Sequence, residues 1–542
     1  MVDSASDRPT VVLTQGTVKG VKQSGPFPKP VETFLGIPYA APPTGDRRFR
    51  LPEPVAPSTD IIDASKYGPI APAKQLFTIG PKLDSSEDCL TVNVFRQEPT
   101  EETKLLPVAI YIHGGAFNRG SASMHNTASM VGWSDAPFIA VSFNYRIGAL
   151  GFLPSKLSQK EGILNLGLKD QILLFHWVQE NIKSFGGDPK NVTLIGLSAG
   201  AHSIGHHLLN YEEGKKPLFQ RVVIESGAPT SRAVRSFDST IHEQQFQEFL
   251  EAAGCPSDIS ESEILPFLRS LPIDTIAKAQ ETVFYSYNPS LRWAFQPVQG
   301  DDIIRHRPID AWKSGKWHKV PILTGFNTNE GSLYVNKKMD RSEEFRAFFK
   351  TLLPQLESTD LDTIETLYPD PSTNPKSPYK DTREGVGAQY KRIEAAYAHY
   401  AYCSPVRQTA HLASSEAPVY LYHWALETTI IGGASHADNM RYEVQDPGVH
   451  KLSPSQKELS GTIHAYITSF ICTGDPNHLA GVYSERRQWP KYQNSDPKIM
   501  IFGQKNKELV GGSVGPPAEV NDDIWAKEES DFWWSKVEIS QQ

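Results

Sequence analysis

The chain has 542 residues, of which 39% are hydrophobic and 21% are charged, and its formal net charge is −8. This composition is typical of a globular enzyme, and the length allows one large α/β domain or several smaller ones. The excess of acidic residues argues against nucleic acid as a partner, because phosphate binding requires a basic surface. No apolar run approaches the roughly 20 residues of a transmembrane helix, so we expect no membrane span.

Strand-like and helix-like segments alternate along the chain, as a parallel sheet with crossover helices requires. The predicted strands are residues 107–112, 138–143, 192–197, 221–225, 321–325, 419–424 and 498–502. The clearest predicted helices are residues 168–185 and 455–471, and glycines follow both. The pattern therefore predicts the α/β class.

A glycine-rich segment, His113-Gly114-Gly115-Ala116-Phe117, follows the first of these predicted strands. Acyl transfer needs fixed hydrogen-bond donors where a carbonyl oxygen becomes negative, and small residues let backbone N–H groups approach that oxygen closely. The N–H groups of Gly115 and Ala116 are therefore candidate oxyanion-hole donors. Phe117, beside them, is a candidate for contact with substrate.

The pentapeptide Gly196-Leu197-Ser198-Ala199-Gly200 follows the third predicted strand and precedes a helix-like segment. Glycines two positions to either side of a serine allow a sharp strand-to-helix turn that exposes the hydroxyl, which is called a nucleophile elbow. The start of the helix directs the N–H of Ala199 toward the same oxyanion, and Leu197 is a second candidate for substrate contact. Either glycine cluster alone fits a surface turn. Together, in this order, they predict an acyl-transfer site with Ser198 as nucleophile.

Further motifs along the chain resemble those of the type-B carboxylesterases, which include cholinesterases and several fungal lipases. In chain order they are Phe34-Leu35-Gly36-Ile37-Pro38-Tyr39-Ala40, Arg48-Phe49-Arg50, Glu87-Asp88-Cys89-Leu90, Asn144-Tyr145-Arg146-Ile147-Gly148, Asp170-Gln171, Phe185-Gly186-Gly187-Asp188-Pro189 and Glu225-Ser226-Gly227. The resemblance implies an α/β-hydrolase fold, with a central, mostly parallel sheet flanked by helices, as one domain over residues 1–542. It also implies large helical insertions, at about residues 230–400, that form the walls of the substrate pocket.

Two later loops resemble those that carry the acid and the base of this family, whose triad follows the chain order serine, acid, histidine. Glu330 follows the predicted strand 321–325 and precedes Gly331, and His436 lies in a glycine-rich loop after the predicted strand 419–424. The resemblance implies that His436 is the general base and that Glu330 orients it. Asp438 is the alternative acid, but residues two apart in an extended segment point the same way without easily bonding.

The predicted reaction is hydrolysis of a small-molecule carboxylic ester through an acyl-enzyme, with no metal or organic cofactor. His202 and His206, four apart after Ser198, have the spacing of a metal pair, but no third ligand is evident. Many family members carry glutamate where this chain has Leu197, and residues 60–88 lack the tryptophan with which cholinesterases face ammonium groups. We therefore expect an uncharged ester rather than a choline ester. Lactone opening, amide cleavage, acyl transfer to a metabolite alcohol and a non-catalytic adhesion role are the alternatives.

The four cysteines, Cys89, Cys255, Cys403 and Cys472, are widely spaced. Secreted members of the family pair the cysteine at the position of Cys89 with one upstream, and no cysteine precedes Cys89 here. We therefore expect four thiols and a reducing compartment. Residues 1–20 show no basic start followed by an apolar core, so the cytoplasm is the predicted location. No feature of the sequence indicates an oligomeric state.

Overall fold

The computed structural model describes residues 8–73, 81–99, 104–232 and 234–540. Its strands are β1 (Thr10–Leu13), β2 (Gly16–Lys19), β3 (Val21–Gln23), β4 (Val31–Pro38), β5 (Ile61–Asp63), β6 (Thr91–Gln97), β7 (Leu106–Ile112), β8 (Ile139–Phe143), β9 (Gly187–Leu197), β10 (Arg221–Glu225), β11 (Ile322–Asn327), β12 (Val419–Trp424), β13 (Lys498–Phe502) and β14 (Ala518–Asp522). Its α-helices are α1 (Thr127–Trp133), α2 (Lys156–Lys160), α3 (Leu166–Asn181), α4 (Ala199–Leu209), α5 (Thr240–Ala252), α6 (Glu261–Ser270), α7 (Ile273–Tyr287), α8 (Pro308–Lys313), α9 (Ser342–Leu352), α10 (Ser358–Leu367), α11 (Tyr390–Ala398), α12 (Ser404–Ala413), α13 (Asp438–Glu443), α14 (Pro447–His450), α15 (Pro454–Thr473), α16 (Lys527–Ser535) and α17 (Val537–Ser540). A π-helix, His399–Cys403, joins α11 to α12.

Most of the strands form one large mixed sheet, in the order β14-β13-β12-β11-β10-β9-β7-β8-β6-β4-β3. The neighbours from β13 to β8 in this order pair in parallel. The strands outside them, β14 at one edge and β6, β4 and β3 at the other, pair antiparallel. Strands β1, β2 and β5 form a separate small sheet. The structure thus has the helix-flanked and largely parallel sheet that the resemblance implied.

The strands predicted from the sequence are the parallel strands of this sheet. Their bounds differ by a few residues, since β9 begins at Gly187 and β11 continues to Asn327. Parallel strands are buried on both faces and therefore read as continuous apolar runs, whereas the antiparallel β6 carries Asn93 and Arg96 among its apolar residues. The two helices expected at residues 168–185 and 455–471 correspond to α3 with the 3-10 turn that follows it and to α15. In the described part of the chain, no helix combines the length and apolarity needed to cross a bilayer.

Between β10 and β12 the chain inserts the helices α5 to α12. Their aromatic side chains form a buried cluster apart from the core of the sheet, and it includes Phe284, Trp293, Phe349 and Tyr397. Ala116, from the glycine-rich segment after β7, belongs to the same cluster. The helical region therefore packs over the carboxyl edge of the sheet, where that segment lies.

Candidate active site

Ser198 lies at the turn between the end of β9 and the start of α4. Its φ of 59° and ψ of −123° are a strained conformation for a residue with a side chain. Glycine permits the close packing of this turn, because a Cβ on Gly200 would lie 2.0 Å from the carbonyl oxygen of Ile112. The Ser198 N–H donates to the carbonyl oxygen of Glu225 at 2.9 Å. The backbone therefore has the sharp strand-to-helix turn that the sequence predicted.

The glycine-rich loop after β7 lies against this turn. A Cβ on Gly114 would lie 2.6 Å from the last carbonyl oxygen of β9 and 3.0 Å from the Cβ of Ser198, so glycine is required for this approach. Gly115 and Ala116 have φ angles of 115° and 56°. Their N–H groups, and that of Ala199, have no hydrogen-bond acceptor within the described residues. Three unpaired backbone donors in a loop and a turn that touch are the arrangement that an oxyanion requires.

Neighbouring side chains hold this loop in place. The Tyr145 hydroxyl donates to the carbonyl oxygen of His113 at 2.8 Å, and the two rings stack with centroids 4.3 Å apart. The Asn118 side-chain amide donates to the carbonyl oxygens of Ala116 at 2.9 Å and Ala294 at 3.0 Å. Donors fixed in this way need no reorganisation when negative charge develops.

Glu330 and His436 meet across two loops at the same edge of the sheet. Glu330 starts a 3-10 turn after β11, and His436 lies between β12 and α13. Glu330 Oε2 is 2.5 Å from His436 Nδ1, and Glu330 Oε1 accepts the Asn327 N–H at 2.7 Å. His436 Nε2 is buried and forms no hydrogen bond within the described residues. The carboxylate thus fixes one imidazole nitrogen and leaves the other available to a serine hydroxyl.

Asp438, the alternative acid, bonds elsewhere. Its Oδ2 accepts the Thr428 hydroxyl at 2.5 Å and the Ser435 N–H at 2.9 Å. Burial raises the pKa of Asp438 to about 6. The carboxyl group therefore fastens the loop that carries His436, and no hydrogen bond joins it to the imidazole in the described residues.

The histidines with metal-like spacing are buried on α4. His202 Nδ1 contacts the carbonyl oxygen of Ala228 at 3.1 Å, and burial lowers the pKa of His206 to about 3. Within the described ranges, no group of three or more His, Cys, Asp or Glu side chains is arranged to hold a metal ion. His202 thus contacts the backbone of the segment after β10, and both histidines are buried.

A network of buried amide and carboxyl groups joins the loop after β11 to the end of β10. The Asn327 side-chain amide donates to Asn439 Oδ1 at 3.2 Å, and Asn439 Nδ2 donates to Glu443 Oε1 at 2.6 Å and Glu225 Oε1 at 3.4 Å. Burial raises the pKa of Glu225 well above its usual value, and the neighbouring Glu443 raises it further. Because the Glu225 carbonyl also accepts the Ser198 N–H, this network links the turn at Ser198 to the loops of the acid and the base.

Phe117 and Leu197, the two candidates for substrate contact, are both buried. Phe117 is buried, with its ring centroid 5.0 Å from that of Phe152 and 6.3 Å from that of His202. Leu197 is buried in an apolar cluster that includes Tyr111.

Sequence analysis missed the aromatic side chains beside His436. The ring centroids of Tyr402 and Tyr334 lie 4.8 Å and 5.4 Å from the imidazole. Arg232 donates to the Tyr402 hydroxyl, and its Cζ lies 4.1 Å from the ring centroid of Trp293. These residues come from distant segments of the helical insertion and from the π-helix, so no local motif marks them.

Comparison with known proteins identifies the family of the chain. The sequence profile of the carboxylesterase family matches residues 7–525. Secreted lipase 4 of Gibberella zeae is 35% identical over 96% of this chain and 91% of the relative. Acetylcholinesterase of Electrophorus electricus is 30% identical over 90% of this chain and 84% of the relative. Among solved structures, Aspergillus niger EstA has a TM-score of 0.83 and 28% identity, and the match covers 99% of this chain and 100% of that one. This chain therefore belongs to the carboxylesterase family and is a carboxylic-ester hydrolase with the α/β-hydrolase fold.

Proposed function

We propose that the chain hydrolyses esters through a serine acyl-enzyme, with Ser198 as nucleophile, His436 as general base and Glu330 as the residue that orients the imidazole. Ser198 Oγ attacks the ester carbonyl carbon while His436 Nε2 takes its proton. The tetrahedral intermediate then collapses, the ester C–O bond breaks, and His436 protonates the departing alcohol. Water attacks the acyl-enzyme with the same histidine as base and releases the carboxylic acid.

In this mechanism the N–H groups of Gly115, Ala116 and Ala199 stabilise the oxyanion of both tetrahedral intermediates. Their lack of other acceptors supports this role. Each fixed donor of this kind contributes about 3 to 4 kcal/mol to transition-state stabilisation in other acyl-transfer enzymes.

The observation that supports the proposal most directly is the 2.5 Å contact between Glu330 Oε2 and His436 Nδ1, with Nε2 buried and unpaired. In a triad the orienting carboxylate must hold Nδ1, because the proton transfer to and from serine occurs at Nε2. Ser198 follows β9, which β10 separates from β11 in the same parallel sheet, and this position agrees with the division of roles.

We propose that the alcohol part of the ester carries no positive charge and is not choline. Although one relative is an acetylcholinesterase, Leu197 places no negative charge next to Ser198. The guanidinium of Arg232 lies beside Tyr402 and therefore close to His436. A fixed cation close to the site repels an ammonium group of the substrate.

The test is a panel of p-nitrophenyl esters from acetate to longer acyl chains, set against acetylthiocholine and butyrylthiocholine. We expect turnover of the p-nitrophenyl esters, loss of that turnover in Ser198→Ala, and a much lower kcat/KM for both thiocholine esters. Unchanged activity in Ser198→Ala contradicts the mechanism, and a preference for thiocholine esters contradicts the substrate assignment. The same panel includes a lactone, an amide and an ester with an added acceptor alcohol, which measure lactone opening, amide cleavage and acyl transfer. A folded protein that turns over none of these substrates supports the adhesion role.

We retain the cytoplasm as the proposed location. All four cysteines are free thiols in the structure, as a reducing compartment requires, whereas the Gibberella zeae relative is named as a secreted lipase. Fractionation of the source cells, with an antibody against this chain, decides between the two. Accumulation in the medium contradicts the proposal.

A further inference from the structure

The guanidinium of Arg232 lies among aromatic rings and forms no ion pair with an acidic side chain of the described residues. Its Cζ is 4.1 Å from the ring centroid of Trp293, 5.6 Å from that of Tyr402 and 5.8 Å from that of Tyr334. One N–H group donates to the Tyr402 hydroxyl, but Nε and Nη1 are buried and have no hydrogen-bond partner within the described residues.

Cation–π contacts account for only part of this environment. In a cation–π contact the ring lies above or below the plane of the guanidinium and attracts its charge. The N–H bonds lie within that plane and point away from the central carbon. The contact with Trp293 therefore does not use the Nε and Nη1 hydrogens of Arg232, which remain able to donate hydrogen bonds. The backbone of Arg232 is also strained, with φ at 60°, and strain of this kind clusters at functional sites.

A second guanidinium in the same condition belongs to Arg119, at the end of the glycine-rich loop. The Arg119 N–H bonds to the carbonyl oxygen of Gly115 at 3.0 Å, and its Cζ is 5.2 Å from the ring centroid of Phe284. Its Nε is buried and has no partner within the described residues. Burial lowers the pKa of Arg119, and the charge of Arg232 lowers it further. Two like charges that repel each other in aromatic surroundings are costly unless an anion joins them.

Both arginines lie in segments that contact the candidate catalytic groups or supply them. The Tyr402 ring, which contacts Arg232, lies 4.8 Å from the imidazole of His436 between centroids. Burial, and then the charge of Arg232, lower the pKa of His202 on the helix that begins after Ser198. Arg119 belongs to the loop that supplies two of the candidate oxyanion donors. An ester bound at Ser198 therefore has positive charge within reach of its substituents.

We infer that Arg232 and Arg119 form an anion subsite beside Ser198 and that the preferred ester carries a carboxylate, as a monoester of a dicarboxylic acid does. This inference rests on the proposed function. It differs from the uncharged ester expected from the sequence. That expectation depended on the residue next to Ser198, and the motifs contain no information on Arg232 or Arg119. The substrate carboxylate accepts the unpaired N–H groups, and hydrogen bonds between two charged partners are about twice as strong as neutral ones.

The test compares esters that differ only by a terminal carboxylate. One pair changes the acyl part, with p-nitrophenyl valerate against p-nitrophenyl hemiglutarate, and the other changes the alcohol part, with phenyl acetate against 4-acetoxybenzoate. We expect wild-type protein to have the higher kcat/KM for the anionic member of at least one pair. The pair that shows this preference identifies whether the subsite binds the acyl part or the alcohol part of the ester.

Variants then assign the preference to the guanidinium. Arg232→Met keeps the length and apolar body of the side chain and removes the charge, so we expect the ratio of kcat/KM for the preferred anionic ester to kcat/KM for its neutral partner to fall by about 10- to 100-fold. Arg232→Lys should restore part of the preference for the anionic ester, and Arg119→Met should reduce this preference by a smaller factor than Arg232→Met does. Arg305→Met, at an exposed arginine, is the control and should leave the preference unchanged. Thermal melting checks that each variant is folded.

Equal kcat/KM values within both pairs, or an equal fall for the neutral and anionic esters in Arg232→Met, overturns the inference. If none of the four esters is turned over, the proposed function fails instead. The inference is then decided by calorimetry with monomethyl glutarate and Ser198→Ala, which needs no turnover. Binding that Arg232→Met abolishes in the same background supports the subsite, and undetectable binding in Ser198→Ala overturns it.

Discussion

Two regions border Ser198, and they differ in how completely their charged groups are paired. In the loops after β11 and β12, Glu330 bonds to His436 and Asn327, and Asp438 bonds to Thr428. In the helical insertion and the loop that it covers, two guanidiniums have N–H groups without partners in the described residues. The carboxylates of the first region are bonded before substrate arrives, as the fixed chemistry of acyl transfer requires. The second region has bonding capacity that a variable substrate group can meet.

The difference follows from how each region is built. Parallel register sets Leu197 beside Glu225, Glu225 beside Gly325 and Gly325 beside Tyr422. The loops that leave these strands therefore start from the same edge of the sheet. In the insertion, the packing of aromatic side chains from separate helices and turns brings the residues together. One arrangement is imposed by hydrogen-bonded strands, and the other depends on packing specific to this chain.

The largest effect expected in the loop region is that of removing the nucleophile. Ser198→Ala should reduce kcat by about 10⁶-fold if the chemistry is that of other triads. An organophosphate should form a single adduct, on the peptide that contains Ser198, and mass spectrometry of the wild type and the variant measures this. Ser203→Ala, on the same helix, is the control and should retain labelling and activity. An adduct on a different serine would move the site out of the loop region.

The next largest effect should come from the acid. Glu330→Gln keeps the shape of the side chain but donates to Nδ1 of His436 and so favours the wrong imidazole tautomer, and kcat should fall by about 10⁴-fold, as in the comparable aspartate variant of another triad. Asp438→Asn is the matched control, because its carboxylate bonds to Thr428 and Ser435, and it should cost far less. A crippled Asp438→Asn beside a nearly normal Glu330→Gln would transfer the orienting role to Asp438.

The same division explains what could be predicted from the sequence. The seven parallel strands and the turn at Ser198 follow from apolar runs and glycine spacing, which are local signals. The antiparallel strands were missed because polar residues interrupt their apolar runs, as Asn93 does in β6. Tyr402 and Arg232 were missed because their contact joins positions 170 residues apart, and a lone arginine or tyrosine carries no motif. The packing of Phe117 on Phe152 could not be predicted either, because proximity in sequence to the glycine-rich loop does not fix the direction of a side chain.

A smaller effect is expected at the contact between the two regions, where Glu394 of α11 accepts the Gly331 N–H and the Asn329 side-chain amide, both at 3.2 Å. Burial raises the pKa of Glu394 from 4.5 to about 7. Because the folded protein holds this proton more tightly than the unfolded chain, the contribution to stability is complete below about pH 4.5 and is lost as pH rises through 7. The loss is at most roughly 3 kcal/mol.

Urea unfolding at pH 5 and pH 8 measures this effect. The free energy of unfolding of Glu394→Gln should fall less between the two pH values than that of the wild type, since the amide does not titrate. Glu343→Gln, at an exposed glutamate of α9, should behave as the wild type does. An identical pH dependence in Glu394→Gln and the wild type would show that the boundary between the regions holds no such proton.

The smallest effect concerns covalent linkage, which neither region has. Cys89 and Cys403 are buried free thiols, Cys255 and Cys472 are partly buried ones, and burial raises the pKa of Cys472 to about 12. Denatured, unreduced protein should therefore titrate four thiols, and reductant should leave Tm unchanged. Native protein should react slowly, because protonated thiols are poor nucleophiles. Two or fewer thiols in the denatured chain would contradict the structure and the cytoplasmic proposal together. The positions of the insertion and the loops would then depend on a cross-link as well as on packing.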